Sequence, residues 1–207
     1  MKPTIAALTL STCLASAAGA TTLTFDGSIC NGGNVCTNAS AIDQSYGDIA
    51  GVDVQYDGDP NTAGNQNFAF WSDSYSGLTN IAYYGGGATL TFLGVGGGVS
   101  LTSLQLGAWP NTNRDLGFSV VDLANNATVF SQPISAVLGS TPSSFLMNLT
   151  STTGFRITFL GDFFNGGLDN VVYDAYDPVS SAVPLPAAGW LMLAGLGALA
   201  AGRRIRR

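Results

Sequence analysis

Residues 154–160 have the sequence GFRITFL, in which large apolar side chains alternate with polar ones. Successive side chains of an extended chain point to opposite faces, so Phe155, Ile157 and Phe159 share one face and Arg156 and Thr158 the other. One apolar and one polar face are typical of an antiparallel strand that covers a core on one side only. This stretch therefore predicts a half-buried β-strand.

Runs of the same kind recur along the chain between clusters of Gly, Asn, Asp and Pro, and no helical period interrupts them between Thr21 and Asp177. Strand-forming residues bounded by turn-forming residues indicate short β-strands. The predicted strands are Thr22–Phe25, Val52–Tyr56, Asn67–Trp71, Thr89–Leu93, Leu101–Trp109, Leu116–Leu123, Thr128–Ile134, Ser144–Leu149, Phe155–Leu160 and Asp169–Tyr173. Such a series predicts one all-β domain over 21–177, folded as a two-layer antiparallel β-sandwich.

The predicted domain is strongly acidic. Between Thr21 and Ala182 there are thirteen acidic residues, all Asp, and two basic ones, Arg114 and Arg156, which give a net charge of −11. That balance excludes a basic surface for nucleic acid. The chain has no His, and this domain has no Lys, which excludes His-based catalysis, His-ligated metals and Schiff-base lysines. The remaining oxygen ligands suit calcium and sugars.

Residues 1–20 have the features of a secretory signal peptide. Lys2 supplies a basic start, the run from Ile5 to Ala18 is mostly apolar, and residues 18–20 (AGA) fit the small-x-small cleavage pattern. We expect signal peptidase to cut here, so that the mature chain begins near Thr21. An uncleaved anchor is the alternative.

The C-terminal region carries a second membrane signal. The twenty residues 183–202 contain no charge, and the basic residues Arg203, Arg204, Arg206 and Arg207 follow them. Twenty helical residues cover about 30 Å, the thickness of the hydrocarbon core of a bilayer. Basic residues stay on the cytoplasmic side. We therefore predict a linker over 178–182 and a C-terminal transmembrane helix that holds the domain outside the inner membrane.

This tail resembles a known bacterial sorting signal. Its Pro motif, short apolar helix with Trp190 and terminal Arg cluster closely resemble the VPLPA variant of the PEP-CTERM class. The motif consists of Val183, Pro184, Leu185, Pro186 and Ala187. The resemblance implies recognition by an exosortase-type sorting enzyme, cleavage near the Pro motif, and delivery of the body to the cell surface or extracellular matrix. An ordinary tail anchor of an envelope protein is the alternative.

The body also resembles modules found on many PEP-CTERM proteins. An early strand end at Phe25-Asp26-Gly27, a central strand ending at Trp109 and a closing strand at 167–171 (GLDNV) carry the likeness. Those modules are similar to galactose-binding-like domains. The resemblance implies a jelly-roll form of the sandwich, and an immunoglobulin-like sandwich is the alternative.

Two cysteines stay in the mature chain, Cys30 and Cys36, because Cys13 lies within the signal peptide. An even pair in an exported protein predicts a disulfide. Such a bridge closes a small loop and contributes roughly 2 kcal/mol by the chain-entropy argument.

Two groups of acidic residues are candidate calcium sites, because calcium prefers six to eight oxygen ligands. Asp57 and Asp59 begin a calcium-like loop, which lacks the later residues of an EF-hand, and a solvated acidic turn is the alternative. The galactose-binding-like resemblance implies a second, structural calcium where the terminal strands meet. Its candidate ligands are Asp26, Asp48 and Asp169, although Asp169 with Asn170 is equally typical of a turn cap.

The loop that follows the predicted strand ending at Trp109 is the segment most typical of a sugar site. The Trp109 ring offers a plane for the apolar face of a sugar, and Asn111, Asn113 and Arg114 offer hydrogen bonds to its hydroxyls. Further aromatic platforms are available from Trp71, Tyr75, Tyr83 and Tyr84. The alternative places Trp109 in the core and pairs Arg114 with an acidic side chain.

The sequence thus favours an exported, non-catalytic protein that binds carbohydrate such as exopolysaccharide. Paired Asp residues can hydrolyse glycosides, but thirteen Asp without a Glu single out no pair. A structural or adhesive acidic matrix protein without a specific ligand is the second hypothesis. The expected partners are signal peptidase, the sorting enzyme and the membrane, and calcium is the only cofactor expected.

Overall fold

The computed structural model describes residues 19–30, 32–58, 68–83 and 87–178. In these ranges the chain forms strands and one short 3-10 helix, η1 (Phe163–Asn165). The strands are β1 (Thr21–Leu23), β2 (Val52–Asp57), β3 (Ala69–Trp71), β4 (Ile81–Tyr83), β5 (Thr89–Gly94), β6 (Gly98–Ala108), β7 (Arg114–Asp122), β8 (Ala127–Val137), β9 (Ser143–Ser151), β10 (Gly154–Gly161) and β11 (Gly166–Tyr176). The predicted signal peptide and sorting tail lie outside the described residues.

The strands form two antiparallel sheets. The first sheet has the order β3-β4-β11-β6-β9, and β1 also pairs with β11; the second has the order β2-β5-β10-β7-β8. Both sheets contribute to one hydrophobic core. The predicted all-β, two-layer antiparallel sandwich is confirmed. Among the described residues, no helix is long and apolar enough to cross a membrane.

The pairing of the last eight strands is nested. Strand β7 pairs with β8, β6 with β9, β5 with β10 and β4 with β11, and the two members of each pair lie in the same sheet. This segment is therefore one long antiparallel hairpin whose successive pairs alternate between the two sheets. The nesting brings β4, near the start of the hairpin, beside η1 and β11 at its end.

Strand β10, the stretch with the clearest alternation, lies in the middle of the second sheet. Phe155, Ile157 and Phe159 are buried while Arg156 is exposed, so the predicted division of faces is confirmed. The Phe159 ring stacks on Phe163 with centroids 4.3 Å apart. The alternation in this one strand therefore places the core between the sheets and leaves a polar outer face on the second sheet.

The predicted disulfide joins Cys30 and Cys36, with the two Cα atoms 5.3 Å apart. Cys30 is buried against the core, together with Ile29 and Ile42 from the same irregular segment between β1 and β2. The bridge thus fastens an early loop to the sandwich.

Candidate functional site

Aromatic side chains from four separate parts of the chain meet at one end of the first sheet. Trp71 ends β3, Tyr83 ends β4, Trp109 follows β6, and Phe164 belongs to η1. They enclose an open cavity of about 210 Å³, here called the aromatic cleft. The cleft is lined by Trp71, Tyr75, Tyr83, Trp109, Phe164 and Asn165.

The aromatic rings of the cleft pack against one another edge to face. Trp71 lies 5.9 Å from Tyr83 and 6.4 Å from Trp109 between ring centroids, with interplanar angles of 85° and 74°. Tyr83 lies 5.9 Å from Phe164 at 82°. Edge-to-face contacts favour defined ring orientations. Phe164, with 64% of its surface exposed, offers its ring to solvent.

The cleft has a packed floor. Tyr75, Leu78 and Ile81 form a small buried cluster beneath Trp71, Tyr83 and Trp109. The Tyr75 ring can lie against β11 only because residue 167 is glycine, since a Cβ there would come within 2.6 Å of the ring. The loop between β3 and β4 therefore rests on the sheet at a position without a side chain.

Arg114 ties the Trp109 loop to η1. Its Nε donates to the Trp109 carbonyl at 2.6 Å, and its Nη1 pairs with an Asp162 carboxylate oxygen at 3.3 Å. Asp162 in turn accepts both 3.0 Å hydrogen bonds from the Asn165 side chain, and the Trp109 N–H donates to the Asn165 carbonyl at 2.8 Å. Arg114 thus holds two walls of the cleft together and is a positioning residue.

The two predicted asparagines lie outside the lining of the cleft. Asn111 is exposed, and its N–H donates to the Ser74 carbonyl at 3.0 Å. The Asn113 side-chain oxygen accepts a 3.0 Å hydrogen bond from the Gly139 N–H. Of the four predicted ligand residues, the structure therefore places only Trp109 in the cleft. Tyr84 lies outside the described residues.

Burial fixes the protonation of the two phenols in the cleft. Desolvation raises the pKa of both Tyr75 and Tyr83 above that of a free phenol. Both hydroxyls are neutral hydrogen-bond donors at physiological pH, as a free phenol is, and burial moves their ionisation to a still higher pH. Together with the Asn165 amide they add a few polar groups to a mainly aromatic cavity, the combination found in sites for small organic ligands.

Phe164 and Asn165 were not among the residues predicted from the sequence. The signal available for them is the pair Phe163-Phe164 between Asp162 and glycine-rich residues 166–167. These two residues form part of η1, in which Phe163 is buried and Phe164 is exposed. Single exposed hydrophobic residues are common on protein surfaces, so this pair alone does not single out a binding surface.

The acidic residues predicted to bind calcium are partly brought together. Asp169 is 5% exposed, its carboxylate accepts hydrogen bonds from the N–H and side chain of Asn170, and Asp26 lies near enough to repel it. Desolvation and that repulsion raise the pKa of Asp169 to about 7. The Asn80 side chain donates to Asp26.

The other candidate calcium ligands have separate surroundings. The Asp48 carboxylate accepts a 2.8 Å hydrogen bond from the Val54 N–H, and Asp57 lies at the end of β2. Asp59 lies outside the described residues. Within the described ranges, no three acidic or cysteine side chains form a group able to hold a metal ion. The calcium hypothesis therefore remains a prediction.

No protein family profile matches the chain, and no curated protein matches it. Among solved structures, the chain is similar to an exo-β-1,3-galactanase from Phanerochaete chrysosporium, in crystals with galactose and, for a variant, with β-1,3-galactotriose. In both cases the identity is 23%, the TM-score is 0.30, and the match covers 62% of this chain. The chain spans 30% of the galactanase, so the likeness carries no argument about substrate or activity.

Proposed function

We propose that this protein is an exported, non-catalytic carbohydrate-binding protein, and that the aromatic cleft holds the sugar. The observation that carries the proposal is the convergence of Trp71, Tyr83, Trp109 and Phe164 on one open cavity. Aromatic planes cover the apolar face of a sugar ring, while the Asn165 amide and the Tyr hydroxyls can bond its hydroxyl groups. An exopolysaccharide of the cell's surroundings is the proposed ligand.

The lining of the cleft supports a binding role without catalysis. Glycoside hydrolysis uses two carboxylates that flank the scissile bond. None of the six lining residues is acidic, and the nearby Asp162 carboxylate is held by Arg114 and Asn165. Among the described residues, the cleft therefore offers surface contact and hydrogen bonds, with no pair of carboxylates on its lining.

We infer that the sandwich is a jelly roll. A jelly roll has eight strands in two sheets and arises when a long antiparallel hairpin winds into two Greek keys. The nested pairs β4–β11, β5–β10, β6–β9 and β7–β8 support this over an immunoglobulin-like sandwich, with β1, β2 and β3 as additions. The jelly-roll assignment is tested in solution by measuring cross-strand nuclear Overhauser effects between β4 and β11.

We further propose that the ends of the chain direct it to the cell surface or matrix. Residues 1–20 would be removed by signal peptidase, and the tail over 183–207 would anchor the protein in the inner membrane until an exosortase-type enzyme cuts near the Pro motif. This rests on the sequence features and the PEP-CTERM resemblance. Mass spectrometry of the extracellular protein should give a chain from near Thr21 to near Val183–Pro186. An extracellular chain that still ends at Arg207 contradicts the sorting proposal.

The sugar-binding proposal is tested with a glycan array followed by titration of any glycan retained. Phe164→Ala is the decisive variant, because Phe164 is largely exposed and its removal should leave the core intact. Losing one stacked ring should weaken binding about tenfold. Leu146→Ala is the matched control, since Leu146 is 69% exposed on β9, outside the lining of the cleft, and its loss should leave binding unchanged.

The same experiment separates the second candidate, an acidic matrix protein without a specific ligand. The net charge of −11 favours that role, because a strongly acidic body interacts through its charge alone. Retention of no glycan, or binding that is equally weakened by Phe164→Ala and Leu146→Ala, would support the matrix role over the cleft.

A further inference from the structure

A second concave surface lies on the outer face of the second sheet. It crosses β2, β5 and β10 and encloses about 830 Å³. Its polar lining residues are Gln55, Asp57, Thr89, Thr91, Arg156 and Thr158. None of these residues lines the aromatic cleft, and we call this surface the polar groove.

Strand register places the polar side chains in two parallel rows. Gln55 pairs with Thr91, and Thr91 pairs with Arg156, which gives the first row. Neighbouring strands are about 4.8 Å apart, so each row spans about 10 Å across three strands.

The second row consists of Asp57, Thr89 and Thr158, paired in the same way. It lies two residues along the strands, or about 6.6 Å, from the first row. Hydroxyl, amide, carboxylate and guanidinium groups thus form a regular polar grid.

Arg156 is the cation of this grid, and no described carboxylate pairs with it. In the part of the chain that the structure describes, the pair between Arg114 and Asp162 is the only salt bridge, so no carboxylate there lies within 4 Å of the Arg156 guanidinium. The domain has thirteen Asp and only two Arg, so an exposed Arg that no described carboxylate pairs with is a positive charge available to an anionic ligand on an acidic body.

We propose that the polar groove binds a second class of saccharide, an oligosaccharide that carries a uronic acid carboxylate. The carboxylate would accept a forked pair of hydrogen bonds from Arg156, the geometry for which the guanidinium is suited. The sugar hydroxyls would bond Thr91, Thr158 and the side-chain oxygen of Gln55, whose Nε2 already donates to Asp53 at 2.7 Å. The Asp57 carboxylate would accept from a hydroxyl at the far corner. The volume is that of sites for small organic ligands.

The charges restrict the ligand further. A single guanidinium neutralises one carboxylate, whereas the domain as a whole repels a densely charged polyanion at net −11. The groove therefore suits a chain in which acidic sugars are separated by neutral ones, rather than a sulfated polymer or a nucleic acid. This site is independent of the proposed sugar site in the aromatic cleft.

The test is a titration of the full-length protein with three probes: a trisaccharide that contains one glucuronic acid, the same trisaccharide with its carboxyl group reduced to an alcohol, and acetate. We expect the acidic trisaccharide to bind at least tenfold more tightly than either of the other two. Arg156→Gln should abolish that difference, and Arg156→Lys should restore it only in part because the fork is lost. Leu146→Ala, which lies outside the lining of both surfaces, should leave it unchanged.

Several results would overturn the proposal. Equal binding of the acidic and reduced trisaccharides would show that Arg156 takes no part, and equal binding of acetate would show a site for small anions only. Loss of the difference in Phe164→Ala would move the ligand to the aromatic cleft. Absence of binding by all three probes also overturns it. Arg156 is exposed, so an unchanged melting temperature of Arg156→Gln shows that the variant is folded.

Discussion

Asp169 is a buried carboxylate whose pKa lies near 7 in the folded protein, far above its usual value near 3.8. An acid with a raised pKa keeps its proton in the folded state after the unfolded chain has lost it. Between about pH 4 and pH 7 the folded state therefore binds more protons, and stability falls as the pH rises through that window. Below pH 4 Asp169 does not lower the free energy of unfolding. Above pH 7 it lowers that free energy by a constant amount, at most about 4 kcal/mol.

We expect chemical unfolding at a series of pH values to show this decline, and Asp169→Asn to remove most of it. The variant should be more stable than the natural protein at pH 8 and nearly equal to it at pH 4. Asp115→Asn is the control, because Asp115 is exposed at the start of β7 and the decline should persist in that variant. A natural protein whose stability is constant between pH 4 and 7 would contradict the raised pKa.

Phe159 lies on the buried face of β10. Its buried ring contacts Phe163, Phe68 and Phe118, with centroids 4.3, 5.8 and 6.5 Å away. Phe159→Ala should lower the free energy of unfolding by about 3–5 kcal/mol, because a large cavity would remain in a packed core. On the opposite face of the same strand, Arg156→Gln should change it by less than about 0.5 kcal/mol. Similar losses in urea unfolding of the two variants would refute the division of faces.

At the scale of elements, Arg114 joins the start of β7 to the Trp109 loop and to η1 through the Trp109 carbonyl and Asp162. Arg114→Lys keeps the charge but cannot make both contacts in the same fork. We expect several-fold weaker binding of any glycan that the cleft retains, with a melting temperature within a few degrees of the natural one. Asn111→Gly, on the same loop but outside the lining, tolerates the positive φ of 59° at this position and should bind as the natural protein does. Equal losses in both variants would argue against a positioning role.

Strand-forming runs bounded by turn residues were sufficient to predict ten of the strands, and several of these runs also alternate. Strand β4 (Ile81–Tyr83) was not predicted, although β1 and β3 are equally short, because those two lie within longer strand-forming runs. The pairing of β4 with β3 and β11 is a property of the folded chain. The same limit applies to the cleft. Trp71, Tyr83 and Trp109 were recognisable as aromatic platforms, but nothing local to Phe164 shows that η1 packs beside β4.

The polar groove also depends on strand pairing that the sequence does not show. Arg156 was recognisable as an outward residue, and Asp57 was recognised only as a calcium candidate in a loop. The registers of β2, β5 and β10 decide that both border one surface, and register depends on which strands become neighbours. Sequence therefore predicted the faces of the side chains in β10, while the pairing order determined which side chains share a site.

At the scale of the whole molecule, thirteen Asp against two Arg make the domain repel itself, and this repulsion disfavours the compact state. Two kinds of cation effect are distinguishable. General screening stabilises gradually, with magnesium as effective as calcium. A specific site saturates, prefers calcium, and stabilises by about 2.7 kcal/mol at a hundredfold excess over the dissociation constant.

Asp169 allows general screening to be distinguished from a specific calcium site. An ion bound between Asp169 and Asp26 would hold both carboxylates ionised, and it would lower the pKa of Asp169 that burial raises. We expect calcium, but not magnesium at equal ionic strength, to raise the melting temperature above its value in EDTA at pH 8, and the gain to vanish in Asp169→Asn. Equal melting temperatures in all three solutions would end the calcium hypothesis. A calcium-specific gain that survives Asp169→Asn would move the site to the loop that begins at Asp57, because Asp57 and Asp59 are the ligands predicted for the second site.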